Sequence, residues 1–133
     1  MKKILLAYDG SPAAERALHT TAELATLSGS AVTLLGVLSP ISPGSERYPA
    51  PVPDDLGWAL ERARGVLSAR GIEATTAEYE GDPAATIEWL AGEEGFDTIV
   101  VGSRARGWLR RMLDGSVSGH VATHARETVV VAR

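Results

Sequence analysis

The chain has 133 residues, 44% of them hydrophobic and 23% charged, with a net charge of −4 and no cysteine. That length suits one domain with a single buried core, and the ordinary apolar and charged fractions exclude disordered and fibrous classes. The missing cysteines exclude a disulfide framework and thiolate metal sites, and the acidic balance argues against broad nucleic-acid binding.

Met1 to Tyr8 opens with two lysines and a short apolar run, but Asp9-Gly10 ends it well short of a signal-peptide core. No other stretch is long enough to cross a bilayer, so a cytoplasmic protein with no membrane partner is expected. Ile4 to Tyr8 reads as a buried strand. Ser11-Pro12 supplies a helix N-cap and a first-turn proline, and Ala14, Ala17, Leu18, Ala22 and Ala25 follow at helical spacing up to the stop at Gly29. Ala31 to Val37 is the second strand.

Residues 38 to 53 contain five of the seven prolines and read as a surface loop. Asp54 is placed to cap a helix carrying Leu56, Leu60, Ala63 and Leu67 on one stripe, closed by Gly71. Ile72 to Tyr79 is a more polar strand, suited to a sheet edge. Asp82-Pro83 repeats the cap-plus-proline signal before Ile87, Leu90 and Ala91. Thr98 to Val101 is a fully apolar strand, Val117, Val121 and Ala122 suggest a fourth helix, and Thr128 to Ala132 forms a fifth strand. Strands alternating with helices predict a parallel sheet with right-handed crossovers, in one domain over residues 1–133.

In such a sheet, ligands bind beyond the carboxyl ends of the strands, where strand order reverses. That directs attention to Asp9 and to the segment after Val101. The segment joins a glycine turn at Gly102 to a helix start at Gly115-Ser116, where backbone N–H groups and the hydroxyls of Ser116 and Ser118 suit an anion. Arg104, Arg106, Arg110 and Arg111 concentrate four of the 13 basic residues there. The alternative is a solvated loop with an arginine fringe, and Asp9 has the alternative of helping Ser11 to cap the first helix. A P-loop is excluded because Trp108-Leu109 stands where Lys-Ser/Thr is required, and no G-x-G-x-x-G occurs. His120 and His124 share a helical spacing but lack a third ligand, so no metal site is read. No nucleophile–base pair is evident, so no catalytic residue is assigned and the chain is not read as an enzyme.

The chain resembles the universal stress protein family. Its ATP-binding members carry Gly, two residues, Gly, nine residues, then Gly-Ser or Gly-Thr, which matches here at Gly102, Gly115 and Ser116. The opening Ala7-Tyr8-Asp9-Gly10-Ser11, the strand end Leu35-Gly36-Val37 and the closing Val129-Val130-Val131-Ala132-Arg133 look similar too, so the likeness spans the chain. It implies an α/β fold, an open five-stranded parallel sheet in the order 3-2-1-4-5 with helices on both faces, of the adenine nucleotide alpha hydrolase-like kind. It further implies Asp9 on the ribose, Ala7 and Val37 on the adenine through backbone groups, and Val101 and Gly102 along the ribose-phosphate path. Gly115, Ser116, Val117 and Ser118 would hold the phosphates, with Arg104 nearby. The implied ligand is ATP, or AMP or ADP, with magnesium.

Two residues depart from the pattern. Ala105 occupies the second glycine position, and Asp114 adds negative charge beside Gly115. Both disfavour a highly charged phosphate chain, and together they point toward fewer phosphates or toward the alternative of a dimeric interaction protein of the same fold that binds no nucleotide. A third reading, adenylyl transfer or nucleotide hydrolysis, would need residues 38 to 53 as a lid. The last strand, Thr128 to Ala132, is an uncharged edge template, and the resemblance implies a homodimer paired through it.

Overall fold

The computed structural model describes residues 2–38, 53–102 and 128–132. Its elements are β1 (Lys3–Ala7), α1 (Pro12–Ser28), β2 (Ala31–Leu38), α2 (Pro53–Ala69), β3 (Ala74–Glu80), α3 (Pro83–Glu94), β4 (Thr98–Gly102) and β5 (Thr128–Ala132). The five strands are all parallel and lie in the order β3-β2-β1-β4-β5, as expected.

Alternate side chains of each strand enter opposite cores, which explains why the central strands are apolar without interruption. Ile4, Leu6, Tyr8, Leu34 and Val100 pack under α1 and α2 with Leu18, Leu60 and Leu67. Leu5, Leu35, Ile99 and Val101 pack under α3 with Ile87, Leu90 and Phe96. β3 lies at one edge and is mostly exposed, in keeping with its polar composition. Ile72, expected within that strand, is buried just before it, its N–H donating to the Leu67 carbonyl at 3.0 Å.

Local capping chemistry sets the helix ends. Ser11 and Asp82 have extended backbone, and their side chains accept the N–H groups of Ala14 and Ala85 at 3.1 and 3.0 Å, each followed by a first-turn proline. Gly29 and Gly95 close α1 and α3 in the left-handed conformation that a side chain would strain. The expected cap at Asp54 is corrected: α2 starts at Pro53, which places Asp54 within the first turn. Proline's preset φ lets it open a helix without losing a hydrogen bond, so it and not the aspartate marks the boundary. The expected fourth helix lies outside the described residues.

α2 sits close to the sheet because Gly36 has no side chain. A Cβ there would lie 2.9 Å from Leu60 Cδ1 and 3.1 Å from Leu56 Cδ2. The second close approach, at Gly102, belongs to the candidate site.

Candidate functional site

The chain leaves β1 toward β2 on one side, whereas β4 lies on the other, so strand order reverses between β1 and β4. These neighbours pair in register from Ile4↔Thr98 to Leu6↔Val100, so their carboxyl ends finish side by side. Ala7, Asp9, Val101 and Gly102 therefore meet at one end of the sheet. Val37 joins them from β2, two residues past Leu35, which pairs with Ala7. Five of the residues expected at a site are thus brought together. The other five, Arg104, Gly115, Ser116, Val117 and Ser118, lie outside the described residues, as do Ala105 and Asp114.

Tyr8 extends β1 by one hydrogen bond, its N–H donating to Leu35 O at 2.9 Å. The chain then turns at Gly10, whose φ of +81° is the left-handed region that glycine accommodates. Within this turn the exposed Asp9 accepts the Ser11 N–H on Oδ1 at 2.9 Å. Its local turn-forming role is therefore real, and Asp9 Oδ2 is not taken up by any described residue. Ser11 O accepts the Glu15 N–H at 2.9 Å and opens α1.

Gly102 ends β4 against the first turn of α1. A Cβ built there would stand 2.8 Å from Ala13 O and 3.0 Å from Ala13 C, contacts that involve backbone and cannot be relieved by a rotamer change. The absence of a side chain at Gly102 is what lets β4 abut the amino end of α1. The site's first glycine has a packing reason before any ligand is considered.

Sequence reasoning missed a polar cluster beside this turn. The buried Tyr8 hydroxyl donates to Glu15 Oε1, and Arg62 of α2 donates to Tyr8 Oη at 2.8 Å and pairs with Glu15 Oε1. Burial first, then the Glu15 carboxylate, push the Tyr8 phenol up to about 12. Tyr8 and then Glu15 hold the Arg62 guanidinium still more firmly charged. Tyr8 reads as one more strand residue in the sequence, and Arg62 flanks the apolar stripe of α2. Glu15 and Arg62 are 47 positions apart, so no local pattern joins them.

Among the described residues, no group of three or more His, Asp or Glu could hold a metal ion, and no helix is long and apolar enough to cross a membrane. His19 is exposed on α1, and Trp89 of α3 packs edge-on against Tyr79 of β3 at 5.4 Å.

The fold and this edge define the class: an open, doubly wound parallel α/β protein whose candidate ligand edge lies at the β1/β4 switch point. The chain belongs to the universal stress protein family, whose model matches residues 1–133. It is 34% identical over 122 residues to a universal stress protein of Synechocystis, covering 90% of this chain and 78% of that one. A universal stress protein of Bacillus subtilis is 30% identical over 145 residues, covering 98% of both chains. Among solved structures, the universal stress protein from Archaeoglobus fulgidus in complex with dAMP aligns with a TM-score of 0.69 at 26% identity, covering 100% of this chain and 98% of that one.

Proposed function

We propose that this chain is one universal stress protein domain that binds an adenine nucleotide and acts as a dimeric regulatory module rather than an enzyme. The observation that carries the reading is the convergence of Ala7, Asp9, Val37, Val101 and Gly102 on the carboxyl end of the sheet at its switch point. The Gly102…Gly115-Ser116 spacing and the dAMP complex of the Archaeoglobus fulgidus relative support it.

The residues present fit such a ligand. An exposed carboxylate accepts hydrogen bonds from ribose hydroxyls but repels phosphates, so Asp9 suits the sugar. Ala7 and Val37, at the carboxyl ends of β1 and β2, are assigned to the adenine through their backbone groups. In the same reading Val101 and Gly102 line the ribose-phosphate path, and Gly115, Ser116, Val117, Ser118 and Arg104 are assigned to the phosphates. Because Ala105 adds a methyl and Asp114 a charge, the preferred ligand carries fewer phosphates than ATP. When a triphosphate binds, magnesium arrives with it.

β5 stands at the sheet edge with Val131 41% exposed, and a second copy pairing through Thr128 to Ala132 would cover both edges. A non-nucleotide interaction protein is the second reading. The observation favouring it is Asp9, whose Oδ1 is turned back onto the Ser11 N–H.

Titration calorimetry with AMP, and with ATP plus magnesium, tests the proposal. Micromolar binding weakened at least about tenfold by Asp9→Ala and by Ser116→Ala is the expected result. Unaltered affinity in both variants overturns the site, and no binding by the unmodified chain or by Ala105→Gly establishes the second reading.

A further inference from the structure

Tyr8 directly precedes Asp9, and Glu15 lies in the first turn of α1. Their side chains meet, seven positions apart, so that the contact brackets the turn that holds Asp9, Gly10 and Ser11 in the chain. Arg62 ties both ends of this bracket to α2. α2 also lies against the turn itself, since a Cβ on Gly10 would stand 3.5 Å from Ala59 Cβ. The turn is therefore held by the side chains on either side of it and by the helix packed on it. Tyr8 is 2% exposed, so its ring is locked by packing and its hydroxyl has one place to go.

From this geometry we infer that Tyr8, Glu15 and Arg62 form a positioning brace that sets the orientation of the Asp9 carboxylate for the ligand's sugar hydroxyls. The inference rests on the nucleotide reading above and extends it to residues that do not touch the ligand. Preorganisation gives the effect its physical basis: a carboxylate free to swing must be ordered on binding, and that entropy is subtracted from affinity. The brace also couples the site to α2, so a force that shifts α2 changes the reach of Asp9. Arg62 meets both groups through one terminal nitrogen, Nη2, which donates to the Tyr8 hydroxyl and to Glu15 Oε1.

The test combines Tyr8→Phe, which keeps the ring in the core, with Arg62→Gln on the half-exposed side of the cluster. Each is made alone and together with Asp9→Ala. AMP affinity is measured by calorimetry, and the exchange rate of the Ser11 amide by NMR without ligand. Tyr8→Phe and Arg62→Gln are each expected to weaken AMP about fivefold and to have no effect once Asp9 is alanine. The Ser11 amide, which reports the Asp9 turn, is expected to exchange several-fold faster in both variants.

Equal weakening with and without Asp9 would mean general loosening and would overturn the brace. So would unchanged affinity in both single variants. If the unmodified chain binds no AMP, the nucleotide reading fails by itself and the Ser11 amide decides. Faster exchange then upholds the brace as the determinant of Asp9 orientation, and unchanged exchange removes it.

Discussion

Asp97 and Asp9 stand at opposite ends of the sheet and use their oxygens differently. Asp97, just before β4, accepts the Lys3 N–H on Oδ2 at 3.1 Å and the Thr98 hydroxyl on Oδ1 at 3.2 Å. Its backbone joins the same seam: its N–H donates to Lys3 O at 3.1 Å and its carbonyl accepts the Thr128 N–H at 2.9 Å. Lys3 Nζ meanwhile reaches Glu94 O at 2.8 Å and lies over the Phe96 ring. At the amino ends of β1, β4 and β5, polar groups are satisfied by other parts of the chain. At the carboxyl ends Asp9 makes one local bond and is exposed. The difference teaches that one residue type serves as a seam at one end of the sheet and as a presented acceptor at the other, according to which backbone N–H groups are within reach.

The sharpest way to break this comparison is at Gly102, where the presenting end depends on close packing. Gly102→Ala would place a methyl against the Ala13 backbone. A stability loss of about 2 kcal/mol in urea unfolding is expected, with weakened AMP binding, because the first turn of α1 must move. Asp97→Ala removes two acceptors from the seam and is expected to lower stability by about 1.5 kcal/mol with AMP affinity unchanged. Asp9→Ala should do the reverse, changing stability by only about 0.5 kcal/mol while abolishing most of the affinity. If both aspartate variants lost stability and affinity together, the two ends would not be functionally distinct.

A pH dependence confined to the braced end sharpens the comparison further. The folded-state pKa of Tyr8 is raised from 10.0 to about 12, so the folded protein holds this proton more tightly than the unfolded chain does. The stabilisation is fully present below pH 10 and is lost as pH rises through about 12. Comparing unfolding of the parent with Tyr8→Phe across this window isolates the contribution: the parent should lose the larger share of its stability. Parallel curves would show that the Tyr8 hydroxyl is not held as described.

Much of the fold was legible because the signals are local or periodic. Ser11-Pro12 and Asp82-Pro83 act within one helical turn, and Leu5-Leu6 and Leu34-Leu35 show a strand covered on both faces. Asp9 and Gly102 were legible as candidate site residues because each ends a central strand at a turn. Arg62 was not, since its partners come from β1 and α1 and only the packing of α2 brings them near. α2 starts two residues earlier than a cap at Asp54 implies, because Pro53, grouped with the proline-rich loop before it, opens the helix.

The amino-acid order by itself determined the helices with their caps, the buried strands and the polar third strand, because capping, periodicity and alternation are relations among near neighbours. Only the tertiary structure decided why Gly102 and Gly36 lack side chains, since the atoms they make room for belong to Ala13 of α1 and Leu60 of α2. It also decided that Tyr8 and Glu15, on either side of the Asp9 turn in the chain, meet each other and Arg62. Such contacts arise when separate helices are packed onto one sheet, a distance in sequence over which side-chain pattern carries no register.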